Sequence, residues 1–399
     1  MSHLATAVCQ SRDAGLPRRL RAAFLTLMPS PYVQDLFEAI QTDGRIEPRV
    51  FYMEQSAPDT YWGRVSLPDY ASFLPGRGFQ LAGIRTHVNP GAWRTIAAWQ
   101  PDVVVVAGYT SVTCHLVMNR LRKSGLPWIF WAERPGVRGR NRLLGSLRKF
   151  ALGRALRGPS GIAAIGQMAQ QAYAKSAGAA CPIHNTPYCC EVEDYFAIDA
   201  SDRGARGTRS ILYCGQLIER KGVDVLLEAF ARVADKLPDA TLSFLGTGPL
   251  KDTLIARLDP RLRDRVTFAG FHPVAELPPY FARADLFVLP SRHDGWGVVI
   301  NQAISAGLPV VASDAVGAAA ELVRPNENGY IVPAGDAAAL ADSMLRVLES
   351  PATLRRMSQA SRQLAQEIRP SAIVERWVRL FAEVCPDHEF CARRDSAGL

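Results

Sequence analysis

No stretch of this 399-residue chain approaches the ~20 apolar residues that carry a helix across a bilayer. A membrane-spanning helix is therefore not expected. Met1 to Arg19 is mixed in polarity and lacks the apolar core of a signal peptide, so cytoplasmic residence is expected. No C-x-x-C pair occurs among Cys9, Cys114, Cys181, Cys189, Cys190, Cys214, Cys385 and Cys391. The adjacent Cys189 and Cys190 make a poor zinc pair, and free thiols with no metal site are the expectation. No G-x-G-x-x-G follows a first strand, which argues against an NAD-dependent dehydrogenase. Acidic residues all but vanish between Arg120 and Arg157, where Glu133 stands alone among eleven Lys and Arg residues.

Hydrophobic residues make up 48% of the chain and charged residues 21%. That balance belongs to a folded globular protein rather than to a disordered one. The length suggests two domains. A net charge of +8 admits nucleic acid, an anionic surface or phosphorylated substrates. Basic segments interleaved with aromatics are missing, so nucleic acid is not expected.

The first half alternates strands and helices. Strands are expected at Ala22 to Met28, Arg49 to Met53, Asp102 to Val106, Trp128 to Trp131 and Gly161 to Ile165. Helices are expected from about Val33 to Gln41, Ser111 to Arg122 and Gln167 to Ala174. Polar Ala200 to Arg209 reads as a linker, after which the alternation restarts at Ile211. The closing helices are expected at Ala337 to Leu348, Pro351 to Glu367 and Ser371 to Val384. Two consecutive strand–helix runs argue for two doubly wound domains facing a cleft, with ligands beyond the carboxyl ends of the strands.

The residues after those strands carry the candidate chemistry. Leu286 to Leu289 ends in Pro290-Ser291. Asp294-Gly295-Trp296-Gly297 then opens into a helical run from about Val298 to Ala306. Glycines let backbone approach a ligand, and helix N-termini favour phosphate. Asp294 can accept bonds from sugar hydroxyls or cap the helix. Lys221, in the segment Gly215 to Gly222, puts a point charge beside a helix start, which suits a diphosphate. A solvated helix-end lysine is the plainer alternative. Gly246-Thr247-Gly248-Pro249 follows Thr241–Leu245, where a simple turn would also use glycine. Glu133 follows Trp128–Trp131 almost directly, where an ion pair with Arg134 or Arg138 is the alternative. Tyr109, Thr110 and Ser111 follow the third strand, and Pro29, Ser30 and Tyr32 follow the first.

Together these segments resemble family 4 glycosyltransferases, enzymes of the GT-B fold. Gly215 to Gly222 is similar to the family's G-R-L-x-x-x-K-G, with Gln216 at the arginine position and Arg220 nearby. Asp294 to Gln302 resembles E-x7-E and reads D-x7-Q here. Gln302 keeps hydrogen bonding but loses the charge-assisted part, roughly 1–2 kcal/mol. Gly246 to Pro249 is similar to G-x-G-P, and the backbone at Gly270-Phe271-His272 falls where the family reads the base. Gly317 to Glu321 resembles G-G-x-x-E, with Ala318 for the second glycine. Asn185 to Tyr188 resembles the segment before the hinge.

The resemblance implies an α/β GT-B protein: residues 1–200 for the acceptor, 201–370 for the nucleotide sugar, and 371–399 as closing helix and tail. It implies donor contacts from Gly215, Gln216, Arg220, Lys221, Gly246, Gly248, Phe271, Gly295, Trp296, Gly297, Gln302 and Glu321. It places Glu133 and Asp294 at the reaction; the Tyr32 loop departs from the family's Gly-Gly and is therefore expected on the acceptor side, as are Tyr109 and Thr110 after the third strand. The implied activity is transfer, with retention, from a nucleotide diphosphate sugar to a glycan or lipid-linked acceptor in surface polysaccharide or glycolipid assembly. No D-x-D string is present, so no metal and no cofactor are expected. Gln216 and Gln302 leave open a non-catalytic nucleotide-sugar-binding subunit, and a 2-epimerase of the same fold is a further alternative.

From Asn141 to Leu156, Leu143, Leu144, Leu147, Phe150, Ala151, Leu152 and Ala155 mostly recur at helical spacing. Arg142, Arg148, Lys149 and Arg154 flank them. Such a helix suits an anionic membrane surface at the inner face of the cell membrane, or else buries its stripe in the core.

Overall fold

The computed structural model describes residues 18–55, 66–81, 84–135, 142–177, 181–201, 203 and 209–388. Expectations resting on Cys9, Arg138, Arg140, Asn141, most of the 200–209 linker and the 389–399 tail lie outside these residues.

The first sheet begins with β1 (Leu20–Thr26), α1 (Pro31–Asp43), β2 (Ile46–Tyr52) and β3 (Ala71–Phe73). Pro31 suits the first turn of α1, where its missing N–H costs nothing, and α1 stops at Gly44 with φ 83°, a left-handed cap. An antiparallel hairpin follows, β4 (Arg77–Leu81) with β5 (Ile84–Val88). Then come α2 (Ala92–Ala98), β6 (Val103–Ala107), α3 (Val112–Ser124), β7 (Trp128–Glu133), α4 (Arg142–Ala155), β8 (Gly161–Ile165), α5 (Gln167–Ala177), β9 (Ile183–Asn185) and α6 (Glu193–Phe196). Val103 to Val106 are fully buried, as a strand covered on both faces requires.

The second sheet holds β10 (Arg209–Cys214), α7 (Val223–Lys236), β11 (Ala240–Leu245), α8 (Lys251–Arg257), β12 (Val266–Gly270), α9 (Pro278–Arg283) and β13 (Leu286–Leu289). It continues through α10 (Val299–Ser305), β14 (Val310–Ser313), α11 (Ala319–Leu322) and β15 (Gly329–Val332), before α12 (Ala337–Leu348), α13 (Pro351–Ala365) and α14 (Pro370–Val384). The strand orders are β3-β2-β1-β6-β7-β8-β9 and β12-β11-β10-β13-β14-β15. All pairs within the two sheets are parallel. Chain order reverses between β1 and β6 and between β10 and β13, and ligand crevices open at such points. The doubly wound two-domain architecture is the one expected.

Three features were not expected. The β4–β5 hairpin docks through Glu54, which holds Arg85 at 2.6 Å and His87 at 3.1 Å. The Asn89 amide donates to the Met53 and Leu74 carbonyls at 3.0 and 3.2 Å. The closing helix α14 leaves the second domain and packs on α1, β8 and β9 of the first. Trp377 and Phe381 lie edge-on to Phe24, at 5.7 and 6.3 Å between ring centres, and Trp377 also meets Trp131 at 5.4 Å. One apolar core therefore runs from this face of the first sheet into the second domain, while the opposite face of the first sheet has a core of its own. Cys114, Cys181, Cys189, Cys190, Cys214 and Cys385 are free thiols, as expected.

Candidate functional site

The loops leaving β10, β11 and β13 are pressed together backbone to backbone. A side chain at Gly246 would put its first carbon 1.9 Å from the Gly215 carbonyl oxygen. Gly246 thus serves loop-on-loop contact. The Leu217 N–H donates to the Thr247 carbonyl at 2.9 Å. Across to the β13 loop, Arg292 forks onto Asp224 with both bonds at 2.7 Å, and Arg220 donates to the His293 carbonyl at 2.9 Å. Lys221 closes a short turn, Glu219–Lys221, just before α7. Its ammonium pairs with Asp294 at 2.5 Å, and both side chains are largely shielded from water. The cation expected on a diphosphate and the acid expected on a sugar thus meet in one place.

The β13 loop is also zipped to the β14 loop. Asp294 N–H donates to the Ala315 carbonyl at 3.0 Å, and Ala318 N–H to the Trp296 carbonyl at 2.7 Å. A side chain at Gly317 would strike the Gly295 carbonyl at 2.2 Å, so that position needs glycine. Ala318 has an ordinary helical φ of −66°, which is why alanine serves where the resemblance has a second glycine.

Glu133 faces this assembly from the end of β7. Its carboxylate is so close to Gly295 that a side-chain carbon there would lie 1.8 Å from Oε2. It hydrogen-bonds the Tyr188 hydroxyl, and the Tyr173 hydroxyl donates to its backbone carbonyl at 2.6 Å. The Glu133 side chain touches the water of the cleft but has protein on most sides. This enclosure, and then the charge of Asp294, raise its pKa above the usual carboxylate value. The Tyr188 bond, Arg220 and Lys221 pull the other way. Glu133 does not pair with Arg134, whose guanidinium contacts the Met168 sulfur at 3.7 Å. Tyr32 packs edge-on against Tyr188 at 4.8 Å. Its burial, with Glu133 and Asp294 nearby, pushes its phenol up to about 12.

On the first-domain side of the cleft lies a cavity of about 370 Å³. Tyr109, Thr110, Glu133, Arg134, Tyr188 and His293 are among its walls. His293 comes from the opposite domain. Burial, and then Arg134 and Arg220, push its pKa down, so its imidazole is neutral at neutral pH.

Two residues expected at the donor stand at the domain seam. Trp296 is 2% exposed, its indole N–H is on Asn301 at 3.1 Å, and its ring lies against Gly166 of the first domain. Glu321 accepts from the Gln167 N–H and from the Asn185 amide at 2.8 Å. Both side chains thus make inter-domain contacts, and Glu321 also lines a cavity with Gln167, Asn185 and Arg324. Gln302 is buried in α10, and Phe271 is exposed beyond β12. His272 is engaged by Tyr280 at 2.8 Å and Glu276 at 3.0 Å. Sequence reasoning gave no role to Tyr188, Arg134 or His293. Each carried some signal: His293 stands beside Asp294, Arg134 beside Glu133, and Tyr188 ends the segment that resembles the one before the hinge. Among the described residues, no group of three or more His, Cys, Asp or Glu side chains could hold a metal ion.

Residues 208–350 match the family Glycosyl transferases group 1. The matched segment contains every donor-side loop described above. A GDP-mannose-dependent alpha-(1-6)-phosphatidylinositol monomannoside mannosyltransferase of Mycolicibacterium smegmatis is 32% identical over 173 residues, covering 41% of this chain and 45% of that protein. The chain spans less than half the length of this and the other curated relatives it matches. The sucrose-phosphate synthase of Thermosynechococcus elongatus superposes with a TM-score of 0.71 at 20% identity, covering 92% of this chain and 100% of that one. Anabaena HepE in complex with UDP gives 0.69 at 18% identity, with 91% and 100% covered. The fold is GT-B.

Proposed function

We propose that this protein is a retaining glycosyltransferase, moving a sugar from a nucleotide diphosphate donor to a glycan or lipid-linked acceptor in polysaccharide or glycolipid assembly. The observation that carries the proposal is the Lys221–Asp294 pair at the β10/β13 reversal, with the Glu133 carboxylate against neighbouring Gly295. The matched domain and the mannosyltransferase relative support it, as does UDP bound in a structural neighbour. A diphosphate carries more charge than one carboxylate, so it can draw Lys221 away from Asp294. Asp294 is then free to accept hydroxyls of the donor sugar. Lys221 and Arg220 offset the charge that builds on the leaving diphosphate, in place of a metal. An acceptor hydroxyl oxygen bonds to the anomeric carbon while the bond to the diphosphate oxygen breaks, its electron pair leaving on the diphosphate. The hydroxyl proton passes to the Glu133 carboxylate, whose pKa, raised by its enclosure, makes it a stronger base than an ordinary carboxylate.

Calorimetry without metal, using uridine, guanosine, adenosine and thymidine diphosphates, tests the donor half. One of them should bind the wild type, and Lys221→Ala should weaken it by about 100-fold, roughly 2.7 kcal/mol. A wild type that binds none of the four would sink the proposal.

The same reading includes peripheral contact with an anionic membrane through α4. Ala155 is buried there, but Leu147 and Phe150 are 59% and 64% exposed, and Arg148, Lys149 and Arg154 lie among them. Exposed apolar residues framed by cations suit a lipid surface. Flotation with phosphatidylglycerol vesicles should recover the wild type and lose an Arg142/Arg148/Lys149/Arg154 charge-removal variant. Equal recovery of both would refute membrane contact.

A further inference from the structure

The cavity beside Glu133 carries an uncommitted cation. Arg134 lines it, and among the described residues it has no carboxylate partner; its one polar contact is the Met168 sulfur. Arg148 on α4 is near enough for its charge to act on the Tyr109 phenol in the same wall. Glu133, the acid that adjoins Arg134 in the chain, is occupied with Tyr188. A guanidinium enclosed in this way recognises an anion, and phosphate fits its planar fork.

The apolar surface begins where the cavity ends. Thr110, in the cavity wall, leads straight into α3. Val112 and Leu116 occupy i and i+4 of that helix, on one face, and are 40% and 54% exposed. α4 packs beside α3 and adds Leu147 and Phe150. Of the nine large hydrophobic residues exposed among the described residues, four lie on this pair of helices. This is a patch with a position rather than scatter, and such patches mark binding surfaces.

We infer that the acceptor is a lipid phosphate, with its phosphate on Arg134 and its hydrocarbon chain along Val112, Leu116, Leu147 and Phe150. The inference rests on the glycosyltransferase reading and narrows its acceptor to one chemical class. A molecule with a phosphate between sugar and lipid presents three parts in order. The wall has the same order: Glu133 for the reacting hydroxyl, Arg134 for the anion, and the α3–α4 surface for the chain.

The test is binding of the full chain to a polyprenyl phosphate and to the same polyprenol, both in mild detergent micelles, by calorimetry. The wild type should bind the phosphate at least tenfold more tightly than the alcohol. Arg134→Gln should remove that preference, and Arg134→Lys should restore part of it. A Leu147→Ser/Phe150→Ser variant should weaken both lipids by a similar factor while keeping the preference. Equal binding of phosphate and alcohol, or a preference that survives Arg134→Gln, would overturn the inference. Phosphatidylglycerol micelles that bind as tightly as the polyprenyl phosphate would overturn it too, since only a general anionic attraction would then be present. Nucleotide diphosphate binding is measured on the same samples. If it is intact while the lipid preference is missing, only the acceptor class falls; if it is missing in the wild type, the glycosyltransferase reading falls first.

Discussion

The two walls of the cleft rest on the same kind of parallel sheet and are finished differently. On the second-domain wall, charged residues answer one another: Lys221 meets Asp294, Arg292 meets Asp224, and Arg220 meets a carbonyl of the facing loop. On the first-domain wall, Arg134 has no acid among the described residues, Glu133 has a tyrosine, and apolar side chains stand in water. The carboxylates tell the same story. Glu133 and Asp35, both in the first domain, are held above their usual pKa by burial. Asp224 in the second domain is held below it by Arg292. A wall knitted from paired charges is preorganised for one ligand class. A wall of unpaired groups gains its partners only when the second ligand arrives.

The contrast can be broken at its point of contact. Gly295→Ala places a carbon 1.8 Å from the Glu133 carboxylate, so one wall must retreat. Because a misplacement of about 1 Å can cost 100-fold, turnover should fall by about that factor, while nucleotide affinity stays within about threefold. Steady-state kinetics beside calorimetry would separate the two. A variant with unimpaired turnover would show that the walls need not meet.

A smaller effect should come from Asp35, which accepts the Glu191 N–H at 3.0 Å where the chain leaves the first domain. Burial, then the charges of Glu191 and Glu38, raise its pKa from 3.8 to about 6. A raised acid pKa means that the folded state favours the protonated form. Its contribution to stability is therefore full below about pH 4 and is lost as pH rises through about 6. From pH 4 to 7 the wild type should lose about 1–3 kcal/mol that Asp35→Asn keeps. Urea unfolding of both proteins at the two pH values measures this, and identical pH profiles would refute it.

The smallest change sharpens the donor wall. Gln302→Glu supplies a carboxylate at a buried position of α10, where the resembled motif has an acid. Nucleotide affinity should rise several-fold, within roughly 1–2 kcal/mol. A fall would mean that the pocket is built around the amide.

Legibility follows the same divide. The strands showed in the sequence because a covered parallel strand must be apolar throughout, as Val103–Val106 and Leu286–Leu289 are. The donor loops showed because backbone pressed on backbone demands glycine at fixed places, as at Gly246, Gly248 and Gly317. The β4–β5 hairpin did not show, since its anchoring positions are Thr86, His87 and Asn89, polar residues with no apolar rhythm. Trp296 and Glu321 sat inside legible motifs, yet their partners, Gly166, Gln167 and Asn185, come from the other domain. Tyr188 meets Glu133 from far along the chain. Pairings between distant segments leave no periodic mark, so the acceptor wall could be located only loosely.

The return of α14 to the first domain bears on how the chain is made. A ribosome releases Phe24, Phe37 and Trp131 well before Trp377 and Phe381. Until residues 370–384 emerge, the aromatic face they cover lies open, and a nascent first domain cannot close its core on its own. Domains usually mature in the order of synthesis. Here the two must finish together, and a chain cut short before Pro370 would leave a greasy surface for chaperones rather than a working half.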